Sequence, residues 1–102
     1  MSNIRNAREA LIARLLQGDG RASQAVRQAA FMNAELGEPL GALVQNVAQD
    51  AHSISDQDLV RARSAGLDED QIFEIVICAA VGEASRQYEA ARAALDVASR
   101  EQ

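Results

Sequence analysis

The stretch Ile72 to Gly82, IFEIVICAAVG, is apolar at every position except Glu74 and Gly82. A run that apolar must be either a strand buried on both faces or a helix surrounded by other elements. Ile and Val favour strands. Three features decide for a helix. Asp68 stands ahead of the run as an N-cap with Gln71 three residues on, the capping-box spacing. Ala79-Ala80 continues the run in good helix formers, and the chain has no second segment for a strand to pair with. Glu69 and Asp70 in the first turn complement the helix dipole. The helix is expected to run from Asp68 toward Ser99, about 45 Å at 1.5 Å per residue. From Gly82 on it turns amphipathic. Val81, Ala84, Tyr88, Ala91 and Leu95 lie on one side, and Glu83, Arg86, Glu89 and Arg92 on the other.

The remaining punctuation gives four more helices. Asn3 caps the first, whose stripe is Ile4, Ala7, Leu11 and Leu15, widened by Ile12 and Leu16; Gly18-Asp19-Gly20 stops it. Ser23 caps a second helix through Val26, Ala30 and Phe31, expected to end near Leu36-Gly37. Pro39 suits the first turn of a third, with Leu40, Leu43, Val44, Val47 and Ala51 as its buried stripe. Ser55 and Asp58 open a short fourth helix to about Ser64, and Gly66 supplies its C-terminal turn. The expected fold class is all-α, about five helices around a long C-terminal one, in a single domain over residues 1–102.

A chain of 102 residues with aromatics at 3% builds its core from Ala, Leu, Ile and Val. Such helices give each other little apolar area, which points to a homo-oligomer in which subunit contacts bury more. The net charge of −5 disfavours nucleic acid and anionic membranes as partners. All ten basic residues are Arg. Residues 1–34 carry five of them against Glu9 and Asp19, while residues 35–74 carry Arg61 and Arg63 against nine acids. This asymmetry suits either attraction within the fold or basic-to-acidic docking between subunits. No segment has the run of about 18 apolar residues that a membrane span needs. A polar N-terminus and a single cysteine favour a cytoplasmic protein.

The residues able to do chemistry are few. Cys78 has Ile77 and Ala79 beside it, no second thiol, and a mid-helix position away from the dipole that would activate it. It reads as a core residue. Glu74, four residues earlier and on the same face, is either a general acid in an apolar setting or an acceptor for a backbone N–H or an arginine, Arg61 or Arg63 of the preceding helix. His52 is the only histidine, with Asp50, Asp56 and Asp58 nearby in sequence. One histidine is too few for a zinc site, but it could serve as a general base. No cofactor or metal is expected. The segment around Gly66 has the outline of a helix-turn-helix, yet its second helix opens with Asp68, Glu69 and Asp70, which phosphate would repel.

The run from His52 to Leu59 (HSISDQDL), that from Arg63 to Glu74 (RSAGLDEDQIFE), and Ala79-Ala80-Val81-Gly82 together resemble the carboxymuconolactone decarboxylase and alkylhydroperoxidase D-like superfamily. The likeness extends to Ala7–Leu11, Gly18-Asp19-Gly20, Val26-Arg27 and Pro39-Leu40. It implies an all-helical fold that assembles into homo-oligomers. Peroxidase members of that superfamily carry C-x-x-C-x-x-x-H ahead of a helix–Gly–helix unit. The matching positions here are Ala51, Ile54 and Asp58, so the thiol peroxidase mechanism does not carry over. The resemblance therefore implies a binding or accessory module without thiol chemistry, with a small-molecule ligand or a protein partner. The alternative is a decarboxylase-type lyase or isomerase, with His52 and either Glu74 or Asp58 as acid–base groups. A third reading is an adaptor that exposes one face of residues 83–98 to another protein.

Overall fold

The structure, a computed structural model, describes residues 2–34, 36–49 and 55–100. It is all-helical: α1 (Ser2–Gln17), α2 (Gln24–Phe31), α3 (Leu40–Gln49), α4 (Asp56–Ser64) and α5 (Glu69–Arg100). No strand occurs among the described residues. The first half of α5 is the axis on which α2, α3 and α4 pack. Its second half projects beyond them, so the molecule measures 55 × 28 × 19 Å.

The caps expected at Ser23, Ser55 and Asp68 form, whereas Asn3 is not a cap because α1 already begins at Ser2. Ser23 accepts the N–H of Val26 at 3.2 Å. Ser55 and Asp58 form a complete capping box, each side chain accepting from the other's backbone. Asp68 accepts the N–H of Gln71 at 2.8 Å, and the Gln71 side chain accepts the N–H of Asp68 at 2.9 Å. These bonds satisfy donors that the first turn of a helix leaves without partners. Gly66, at φ 97°, ends α4 in a Schellman turn: its N–H donates to Arg63 and that of Leu67 to Ala62.

The end of α2 also differs from expectation. α2 stops at Phe31 rather than near Leu36. Asn33 takes a positive φ of 53°, its N–H donates to Ala30, and that of Ala34 donates to Ala29. This is the same Schellman geometry with Asn in the left-handed position, the commonest substitute for Gly there. The early stop lets the chain end of α2 cross α5 closely. A Cβ on Gly82 would collide with the carbonyl of Phe31, and Arg86 donates to that same carbonyl at 2.6 Å.

The core forms along one side of α5. Ile75, Cys78 and Ala79 are fully buried against Ala30 of α2 and Val44 and Val47 of α3. Ile72 joins Leu43 and Ala62 in a second cluster. The expectation that residues 72–81 are surrounded on every side fails. Phe73 is 54% exposed and Ile77 37%, because α4 covers only one flank of that turn. The stripe of α1 is likewise divided: Ile12, Leu15 and Leu16 are half-buried, whereas Ile4 and Leu11 face solvent.

Gly82→Ala tests the crossing. Alanine improves helix propensity by about 1 kcal/mol, but overpacking a tight contact costs about 1–3 kcal/mol. The urea midpoint is expected to fall. A rise would show that α2 does not approach α5 at this point.

Candidate functional site

Glu74 emerges from the first turns of α5 toward the loop between α1 and α2. Its Oε1 and Oε2 accept the backbone N–H of Arg21 at 2.9 and 3.0 Å, and Oε2 also accepts that of Ala22 at 3.0 Å. The loop can come this near because residue 20 is glycine. A Cβ there would run into the Glu74 carboxylate and sit 3.4 Å from the Arg27 guanidinium carbon. The same loop is held twice more from α5. The Arg21 guanidinium bonds Asp68 at 2.6 Å, and the Arg21 carbonyl accepts from Gln71 at 3.2 Å. Of the two partner classes open to Glu74, the structure shows backbone N–H groups. Arg61 and Arg63 are elsewhere, paired with Asp58 and Glu69.

Arg27 lies behind this clamp and is only 4% exposed. Its Nε donates to the Ala22 carbonyl at 3.1 Å and its Nη1 to the Leu15 carbonyl at 3.0 Å. It therefore ties the end of α1 to the start of α2 from inside. No ion pair involves Arg27 among the described residues. Sequence reasoning missed it. The available signal was its position, three residues before Ala30 and four before Phe31, which puts an arginine on the buried stripe of α2.

Cys78 is fully buried one turn beyond Glu74. Burial pushes its thiol pKa up; Arg27 opposes this and Glu74 adds to it. A thiolate nucleophile needs the opposite: a lowered pKa and access to solvent. Asp58 is committed to its capping box, where its Oδ2 accepts the N–H of Ser55 at 3.0 Å. No described cavity is lined by both Glu74 and Asp58. His52, the general-base candidate, lies outside the described residues, as do Ala51 and Ile54. Among the described residues, no three His, Cys, Asp or Glu side chains converge as a metal site would require.

The cavities divide by chemistry. A small one of about 240 Å³ between α1, α2 and α5 is lined by Leu11, Arg14, Asp19, Arg27 and Glu74. Another described cavity, about 540 Å³, is an apolar groove between α4 and α5. Leu59, Val60, Phe73 and Ile77 form its walls, with Asp56, Arg63 and Glu69 at the rim. No helix is long and apolar enough to cross a membrane among the described residues. The chain matches no protein-family model, no curated protein and no solved structure.

Two measurements check the clamp. Glu74→Ala leaves the N–H groups of Arg21 and Ala22 without their acceptor. It should cost about 2–3 kcal/mol of unfolding free energy, the scale of hydrogen bonds to a charged group, and should speed amide exchange at both residues. Glu74→Gln, which keeps one acceptor oxygen, should lose less. Asp68 has its pKa lowered by the Gln71 N–H and by Arg21. A depressed carboxylate contributes stability that is complete above the ordinary aspartate value of 3.8 and is lost as pH falls through the folded-state value. Acid titration of stability should therefore steepen below that point, and Asp68→Asn should flatten the curve there.

Proposed function

We propose that this chain is an alkylhydroperoxidase-D-like helical module that works as a homo-oligomer, by binding and not by thiol chemistry. The observation that carries this reading is the state of its two reactive-looking groups. Glu74 is spent on holding the α1–α2 loop to α5, and Cys78 is sealed in the core with its pKa raised. Both act as framework, and what the molecule offers its surroundings is apolar surface. The α4–α5 groove and the exposed Leu95 on the projecting half of α5 are available for contact. The resemblance of residues 52–82 to the superfamily supplies the scaffold type. Loss of both motif cysteines, with Ala51 and Ile54 in their places, supplies the absence of the peroxidase mechanism.

The role follows from these features. An accessory protein of this kind presents an assembled surface to a small molecule or to another protein, and its specificity resides in shape and apolar area.

Thiol accessibility and peroxide turnover test the reading together. Native protein at neutral pH should react with a chromogenic disulfide reagent only slowly, and fully once unfolded in urea. Wild type and Cys78→Ala should both consume an organic hydroperoxide, with a thiol reductant present, at the rate of the protein-free control. Rapid native labelling, with protein-dependent peroxide loss that disappears in Cys78→Ala, would overturn the reading.

A further inference from the structure

Arg27 carries a charge that no described side chain pairs with. It is 4% exposed, and its described partners are two backbone carbonyls, that of Ala22 at Nε and that of Leu15 at Nη1. A guanidinium has five N–H donors, so most of its capacity is unused. No acceptor for Nη2 is found among the described residues, and no sealed-in polar side-chain atom there lacks a partner. The unused edge therefore opens onto the cavity of about 240 Å³ that Arg27 lines between α1, α2 and α5. Glu74 lines the same cavity but does not close on Arg27. Its oxygens accept the N–H groups of Arg21 and Ala22, and no ion pair joins the two side chains. A buried cation left without an ion partner is costly.

Two more charges line this cavity without a partner. Arg14 in the last turn of α1 and Asp19 in the α1–α2 loop are exposed, and neither enters an ion pair among the described residues. Arg8, Arg21, Arg63 and Arg86, by contrast, each meet a carboxylate. Convergent polar groups around a preformed cavity are the form that small-molecule sites take.

The walls select the chemistry of the ligand. A bare anion would suit Arg14 and Arg27 but would face Asp19 and Glu74. A bare cation would meet the reverse. A molecule with both charges suits all four walls. The rest of the lining is Leu11 and Leu15, so the body of the ligand is apolar. The cavity is smaller than the roughly 300 Å³ at which pockets for drug-sized molecules begin, which restricts the occupant to a small metabolite.

We infer that the cavity between α1, α2 and α5 binds a small zwitterion, an α-amino acid with an aliphatic side chain. Its carboxylate takes the unused edge of Arg27 and the Arg14 side chain, a charge-assisted pairing. Its ammonium lies toward Asp19, in the field of Glu74. Its side chain covers Leu11, which is otherwise 60% exposed. This site goes beyond the apolar contacts proposed above and is complete in one copy of the chain, so its failure and that of the oligomer are read separately.

Calorimetric titration of the full chain with L-leucine tests the site. Leucine should bind at millimolar concentration or below. The analogue without the ammonium, 4-methylpentanoate, and the analogue without the carboxylate, 3-methylbutylamine, should each bind about tenfold more weakly or worse, the factor of one charge-assisted hydrogen bond. Arg14→Gln and Asp19→Asn, both at exposed positions, should keep the circular dichroism and urea midpoint of wild type and weaken leucine by a similar factor. In Asp19→Asn, leucine and 4-methylpentanoate should bind alike, because the group that distinguishes them is gone. The Arg27 Nε–H resonance should shift on titration of wild type. Absence of both heat and shift with leucine, valine and alanine overturns the site. Acetate binding as tightly as leucine makes it a plain anion site and overturns the zwitterion. Equal leucine affinity in wild type and both variants places the ligand elsewhere and overturns the assignment.

Discussion

The carboxylate of Glu74 is where the two ends of the fold are joined. The loop between α1 and α2 has no core of its own, and its backbone N–H groups at Arg21 and Ala22 need acceptors. Glu74 provides both, from a helix that is itself fixed by the core around Ile75 and Cys78. Once the loop is seated, the direction of α2 follows, and Arg27 reaches back to the carbonyls of Ala22 and Leu15 to tie α1 in the same place. Gly20 makes the approach sterically possible, as Gly82 does at the far end where α2 crosses α5. Two glycines, one carboxylate and one buried arginine therefore set the position of the N-terminal third against the long helix.

The same geometry explains why a carboxylate and a thiol one turn apart on an apolar helix do not make a reactive pair. A catalytic group must meet its substrate. Cys78 meets only protein, and Glu74, which also lines a small cavity, has both carboxylate oxygens taken up by backbone N–H groups. Cys78 has lost contact with water, and the water it would need for ionisation is replaced by Ala and Val side chains. The apolar character of residues 72–82 has a different cause on each side of the helix. One side belongs to the core of the chain. The other carries Phe73 and Ile77, which stay exposed beside the α4–α5 groove.

Much of the local structure was legible from residue order because its causes are local. The caps at Ser23, Ser55 and Asp68, the capping boxes with Asp58 and Gln71, and the turn at Gly66 involve residues three or four apart. The end of α2 was legible in principle, since Asn33 can take the left-handed conformation, but Leu36-Gly37 offered a competing stop. Helical periodicity could not say which part of an apolar stripe would be covered. Ile4 and Leu11 share the pattern of Leu15, yet only the latter lies where α2 and α5 come together.

Sequence alone thus determined that the chain is five helices, that the last is long, and that the only cysteine sits in an apolar setting. These follow from side-chain periodicity and backbone capping, which act over a few residues. Tertiary structure alone decided that Glu74 binds a loop more than fifty residues away, that Arg27 is internal, and that one face of α5 is left uncovered. Those outcomes depend on how helices are placed in space, and no short-range rule specifies which distant donor a carboxylate will find.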